Sequence, residues 1–420
     1  MPAYNGIAYP VASTAMGLAV ESTRGTAVEP NYWIPIKAPK YKPNLTLLPD
    51  ETLQGSMVQT YDLVTGIRYD GHGWNAPPYL DTFPILLLAE FGYEGAFTEA
   101  TLTTTLSAPA TAGSTTVTVT SATGLATGSY IVIGSSTSFP ATLETHRVVS
   151  VATDTVTIAE PLIYNQPDAS PVTQLQVHEY SLLNSAQPTG NQPPSITLSD
   201  FDGEEWRQIS AAQLDELSIK GNGTSLVDYT CTWMGNPAVQ QYGNNAGPGA
   251  GGGFPYTPSF GTGPAGNSQT PAPWTFYSVL GGTYTPTIID WSFDFKRGVK
   301  PIPALTGEQQ YFSYFAGPIQ ATGKFTFVEQ AESPELNKFL DAQRQSFDFT
   351  LFDQQNGSAL NFFGHYGQFK TGEIDRSKEY VEVMVEFDLL PSAADSLAGA
   401  GGVSPCTITV ANAVNTAYMP

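Results

Sequence analysis

In the stretch Ile288-Ile289-Asp290-Trp291-Ser292-Phe293-Asp294-Phe295-Lys296, the aromatic residues Trp291, Phe293 and Phe295 alternate with Asp290, Ser292 and Asp294. Successive side chains of a strand point to opposite faces, so the pattern is that of a strand with one side in a core and one side polar. Downstream, Gly323–Val328 repeats it with Phe325 and Phe327 on one side. Ser333-Pro334-Glu335 supplies a capping serine, a first-turn proline and a first-turn acid, and Leu336, Phe339 and Leu340 follow at helical spacing. That spacing predicts a helix of about two turns. Strand Phe347–Phe352, an Asn356-Gly357 turn and a hairpin closing on Tyr380–Leu390 come next. In the last strand Val381, Val383, Val385, Phe387 and Leu389 share one face, and Glu382, Glu386 and Asp388 the other. From Gly282 to Leu390 the chain therefore reads as a β-sandwich or bent sheet with one helix laid against it, about 110 residues and an ordinary domain size.

The same order of elements occurs earlier, as a degenerate repeat. Val64-Thr65-Gly66-Ile67-Arg68-Tyr69 matches Ala321-Thr322-Gly323-Lys324-Phe325-Thr326, and an apolar helix candidate follows each. In the first copy this helix is Pro84–Phe91, closed by Gly92 at its C′ position. Ile196-Thr197-Leu198-Ser199-Asp200 with Gly203 matches Phe349-Thr350-Leu351-Phe352-Asp353 with Gly357. Each copy ends in a hairpin. In the first it is Leu214–Lys220, a Gly221-Asn222-Gly223 turn, and Leu226–Met234 with Val227, Tyr229, Cys231 and Trp233 on one face. The copies share order and pattern more than identity.

The length of 420 residues allows two or three domains, and 41% hydrophobic content supports packed cores. Forty glycines and 33 prolines favour a mainly β class with many turns. A formal charge of -21 argues against a protein that grips nucleic acid through a basic surface. Cys231 and Cys406 alone cannot make a disulfide framework, so synthesis in a reducing compartment is expected. The first residues lack a charged and then apolar leader pattern, and the longest apolar run, Phe83–Ala89, is too short to span a bilayer, so a soluble chain without a membrane partner is expected.

Residues 1–31 read as an extended N-terminal arm, and 32–97 with 178–235 as the first unit. Between them, residues 98–177 are rich in Ser and Thr, with short alternating runs at Thr116–Thr120, Tyr130–Gly134, Arg147–Val151 and Thr155–Ala159. They form a small inserted β-domain, expected on the outside and away from assembly contacts, since insertions are tolerated at exposed loop tips. Residues 236–273 are a Gly/Pro-rich connector loop, 274–391 the second unit, and 392–420 a C-terminal arm with a possible strand at Cys406–Val410.

Signatures of catalysis are missing from the sequence: no G-x-S-x-G elbow, H-E-x-x-H, Walker loop or paired C-x-x-C occurs. His72, within Asp70-Gly71-His72-Gly73-Trp74, has no second ligand nearby and reads as part of a turn. His146, His178 and His365 have no convincing acid or serine partner in sequence. Asp200-Phe201-Asp202-Gly203 resembles a fragment of a calcium loop but reads better as a hairpin turn. The expectation is a protein that is not an enzyme, with no catalytic, cofactor or metal residues.

The opening Glu21-Ser22-Thr23-Arg24-Gly25-Thr26-Ala27-Val28-Glu29-Pro30 with Trp33-Ile34-Pro35 resembles that of tail tube proteins from bacteriophages with long non-contractile tails. Three more segments are similar to that family's pattern: Pro194–Leu198 with Asp202-Gly203, Leu214–Gly235, and Lys296-Arg297-Gly298-Val299 leading to Leu305-Thr306-Gly307. The resemblance covers about four-fifths of the chain, with residues 98–177 and the connector as departures. It implies a β-sandwich with a flanking helix, rings whose inner strands form a shared barrel, and stacking into a tube that conducts viral DNA. Two tandem units of this type per chain imply a trimeric ring of pseudo-sixfold character. The implied partners are further copies of the chain, tape-measure, terminator and tail-tip proteins, and DNA in transit, in a virion tail assembled in the host cytoplasm. Half-apolar strands also leave edges that a soluble monomer suppresses and a closed ring pairs. A carboxylate-lined lumen would repel phosphate and let the duplex slide. The candidates for that lining are Asp290, Asp294, Glu382, Glu386 and Asp388, with Glu216 and Asp228 in the first unit; the alternative is a merely solvated outer face. Two other functions fit a β-rich chain without catalytic groups: a virion- or cell-surface adhesin holding glycans on Tyr256, Trp274 and Tyr277, and a tail terminator or tail-tip protein of related fold.

Overall fold

A computed structural model describes residues 11–419 except 53, 56, 98, 136–141, 186–189, 204, 242–273, 282, 285–286, 305–308, 330–339 and 354–356. The protein is mainly β. In chain order it has β1 (Ala15–Val20), β2 (Tyr32–Ile34), β3 (Lys37–Asp50), β4 (Asp62–Ala76), helix α1 (Pro84–Phe91) and β5 (Gly92–Glu94). Six short strands follow: β6 (Thr103–Thr105), β7 (Thr116–Thr118), β8 (Tyr130–Ile133), β9 (Glu144–Ala152), β10 (Thr155–Ile158) and β11 (Pro171–Gln174). The chain returns through β12 (Gln176–Leu182), β13 (Ile196–Phe201), β14 (Trp206–Asn222), β15 (Asp228–Gly235) and β16 (Val239–Gln241). The remainder is β17 (Trp274–Leu280), β18 (Thr283–Tyr284), β19 (Ile288–Lys296), β20 (Lys300–Ile302), β21 (Ser313–Phe315), β22 (Gln320–Val328), β23 (Arg344–Asp353), β24 (Ser358–Asp375), β25 (Glu382–Leu389) and β26 (Thr407–Asn412).

Eight strands lie side by side, all antiparallel, in the order β3–β4–β15–β14–β19–β22–β25–β24. This inner sheet joins the expected first unit to the second through the β14–β19 pair. The long strands β14 and β24 also serve a second, outer layer. There β14 pairs with β13, which continues to β1 and β2, and β24 pairs with β23 and β26. β26 in turn pairs with β12, so the outer layer also links the two halves of the chain. Between the layers lies one continuous core. Phe293 of β19 stacks on Phe362 of β24 with ring centroids 4.6 Å apart, and Trp291 meets Phe349 of β23 at 4.8 Å. Such aromatic contacts add to area burial, which is the main stabilising term.

Helix α1 is apolar apart from Glu90, and all eight of its residues are buried. A helix of that composition belongs inside a protein. Pro84 sits at its start, and Gly92, at φ 84°, ends it in the left-handed region. Arg297, just past β19, donates to the Glu90 and Phe91 carbonyls that the last turn leaves unpaired.

Residues 103–174 form a six-stranded sheet, β6–β11–β8–β9–β10–β7, around a core of their own. Tyr130 and Leu175 pack on Phe352, Ala359 and Ala411, which alternate with core residues and so face away from the sandwich interior. Arg147 and Asp348 add an ion pair at 2.8 Å. The inserted domain thus sits on the side of the sandwich opposite the inner sheet's open face.

Several expectations need correcting. The C-terminal stretch is no arm: Cys406, Ile408 and Val410 are in the main core, and β26 fills the gap between β12 and β24. The N-terminal arm is at most residues 1–14, because β1 is buried between β13 and β2. Gly323 does not stand where Gly66 does. Traced through their neighbours on β25 and β15, it corresponds to His72, because the two copies agree in strand pairing while their local sequences have slid. The helix expected at Ser333–Leu340 and most of the connector lie outside the described residues.

Candidate functional site

Residues directly opposite in an antiparallel pair share a face, so the register of the inner sheet shows which side chains are brought together. One row across the open face runs Asp228–Lys220–Ser292–Lys324–Glu386–Thr371. The next runs Asn75–Thr230–Ser218–Asp294–Thr322–Asp388–Gln368, and a third Gly73–Thr232–Glu216–Lys296–Gln320. Asn222 and Asp290 lie opposite one another in a fourth. The structure therefore places Asp290, Asp294, Glu386, Asp388, Glu216 and Asp228 together on one polar face, drawn from the four strands β14, β15, β19 and β25.

Glu382 is the exception. Its backbone belongs to that face, but the residue is only 3% exposed. Lys378, four residues before it, folds over the carboxylate with contacts of 2.7 and 2.8 Å, so Glu382 offers no charge to solvent.

The face is also not uniformly acidic. Lysines stand among the carboxylates: Lys296, in the same row as Glu216, meets it at 3.0 Å, Lys370 meets Asp388 at 3.5 Å and Lys37 meets Asp228 at 3.5 Å. The hydrogen bond to Glu216 pushes the Lys296 ammonium above the ordinary lysine value. Lys220 and Lys324 flank Ser292 in the first row. Sequence reasoning looked for one sign of charge and missed the other, although Lys220 and Lys296 obey the same alternation as the acids.

At one side of the face, Lys40 and Lys42 of β3 border a trough of about 580 Å³ with Gly71, Gly73, Thr230 and Thr232. At the other side Glu373 and Asp375 follow Thr371 along β24. Among the described strands, β3 has no neighbour beyond β4, and β24 has none beyond β25 after Gln368. The inner sheet thus ends in two unpaired edges.

Each histidine proves to have a carboxylate partner, mostly brought from a distant strand. His72 lies within β4, not in a turn, 3.2 Å from Asp200. His146 sits 3.1 Å from Glu144, His178 2.9 Å from Glu94, and His365 2.6 Å from Asp395. The first three pairs are buried inside the sandwich or the insert, His365 is half-exposed, and none belongs to the rows of the polar face. Glu94 also accepts from the Tyr418 and Met419 amides, which ties down the end of the chain. The Asp200–Gly203 stretch is the β13–β14 hairpin, with Asp202 accepting from the Glu205 amide. No group of three metal-ligating side chains occurs among the described residues, and no described helix is long and apolar enough to cross a membrane. No protein-family model and no curated protein matches this chain.

Proposed function

We propose that the chain is the structural subunit of a bacteriophage tail tube, whose copies close into stacked rings around a lumen that passes viral DNA. The observation that carries this reading is the inner sheet: two four-stranded groups of the same order, joined edge to edge, polar on one face and unpaired at both ends. A sheet with unpaired edges is a template for further strands. Because its two ends differ, the pairing they invite is head-to-tail, which closes when the rotation allows. Two groups per chain suit a trimeric ring of pseudo-sixfold character. The partners are then other copies, the tape-measure, terminator and tail-tip proteins, and DNA in transit.

The mixed charge of the face suits a conduit as well as a purely acidic one would. A protein that holds DNA does so with cations free to displace counterions from phosphate. Here Lys296, Lys370 and Lys37 each lie against a carboxylate, and Lys220 and Lys324 stand opposite Asp228 and Glu386 in the register, so carboxylates offset much of the positive potential that could arrest a sliding duplex. Negative-stain microscopy of the concentrated protein tests the reading. Hollow filaments with a bore wider than duplex DNA are expected, and a chain that stays monomeric at all concentrations overturns it. In assembled tubes, Glu386→Lys with Asp388→Lys should leave filaments intact and slow DNA delivery, because unpaired lysines would then line the bore.

A further inference from the structure

The chain contains its own template for how two copies meet. Both long strands carry a bulge at the same place, Asp215 in β14 and Lys370 in β24, within their pairing with β15 and β25. Aligning the two four-stranded groups on these bulges matches Ser218 with Glu373 and Lys220 with Asp375. It also matches Thr232 with Glu386, hence their partners Gly73 and Lys324, and hence Lys40 with Ser292 and Lys42 with Asp294. Inside the chain Ser218 faces Asp294 and Lys220 faces Ser292 across the β14–β19 junction. We propose that the free edge of β24 pairs with the free edge of β3 of a second copy in this same register, setting Glu373 opposite Lys42 and Asp375 opposite Lys40.

Charge supports the assignment independently of the alignment. Lysines and prolines on an exposed strand are an ordinary guard against stray pairing, and β3 carries both. A guard needs no counterpart, yet the other free edge bears acids at the two positions the template selects. Glu373, Lys40 and Lys42 are exposed and take part in no described ion pair. Asp375 accepts from Ser377 in its own turn and is in no described ion pair. Opposite charges facing each other across strands stabilise a pair, and like charges there destabilise it. The complementarity also fixes direction, since an acidic edge rejects another acidic edge.

This inference rests on the tube reading, and its test separates the two. Lys42→Cys with Glu373→Cys should cross-link neighbouring copies in assembled filaments under mild oxidation, because opposed strand positions lie within disulfide reach. Lys40→Cys with Glu373→Cys, out of register, should not. Glu373→Lys with Asp375→Lys should raise the protein concentration needed for assembly at least about tenfold. Adding Lys40→Glu and Lys42→Glu to that variant should bring it back. Filaments that form normally but fail to cross-link at 42 and 373, or a fourfold swap that does not recover, overturn the pairing and leave the tube standing. Absence of any assembly by the unmodified chain overturns both.

Discussion

Glu90 is a carboxyl held far from its ordinary state. It lies in α1 with no access to water, and neither carboxyl oxygen has a hydrogen-bond partner among the described residues. Burial pushes its carboxyl up to about 8, against the nearby charge of Arg297 and with help from Asp215 and Glu216. Arg297 spends its donors on the helix carbonyls instead of on that carboxyl. The folded pKa is raised above the unfolded one, so between about pH 4.3 and 8 the folded chain keeps a proton that the unfolded chain has lost. Stability therefore falls as pH rises through that window and levels off above it. Glu90→Gln keeps the shape and removes the titration. The variant should match the parent near pH 4 and exceed it by roughly 2–4 kcal/mol at pH 9. Urea unfolding at three pH values reads this out, and a gap that does not widen with pH excludes it. Arg297→Met should cost about 2–4 kcal/mol, because it leaves the buried Glu90 carbonyl at the helix end unpaired.

At the level of elements, β19, β22 and β25 were legible in the sequence, as were the outer strands β13, β23 and most of β26, whereas β1 was not, for one physical reason. β19, β22 and β25 each have one side in the core and one in water, so their sequences alternate. β1 and β13 are covered on both sides, and β26 has the core on one face and the inserted domain on the other. Covered strands need not alternate, and Ala15-Met16-Gly17-Leu18-Ala19-Val20 therefore read as an arm. The six carboxylates that face solvent at the site, two of them exposed and four half-buried, were found by alternation. Their lysine partners were not, because those pairings are made across strands. Gly323 illustrates a constraint only the fold reveals. A Cβ there would lie 2.2 Å from the Phe387 ring opposite, which is itself stacked on Phe325 at 5.1 Å. Gly323→Ala should cost about 1–3 kcal/mol through forced repacking. Thermal unfolding measures it, and a neutral result would mean that the aromatic cluster shifts freely.

For the whole molecule, the layered order separates what holds the sandwich together from what would hold an assembly together. Among the described residues the inserted domain packs on the outer layer, chiefly through Tyr130, Leu175 and the Arg147–Asp348 pair, and both free edges belong to the inner sheet. Its entry and exit strands meet, since Thr103 pairs with Thr173, and Gln176 holds Ala100 by two hydrogen bonds at the base. Replacing residues 103–174 with a short glycine-rich link should therefore leave the sandwich folded. The cost should be on the order of 2 kcal/mol, from uncovering Phe352, Ala359 and Ala411. The shortened chain should form filaments of unchanged bore and reduced outer diameter, because neither the polar face nor the β3 and β24 edges are touched. If it stays monomeric while unfolding cooperatively, the inserted domain carries an assembly contact, and the division of labour between layers argued here fails. A change in bore would be the more telling failure, since only the inner sheet can set it.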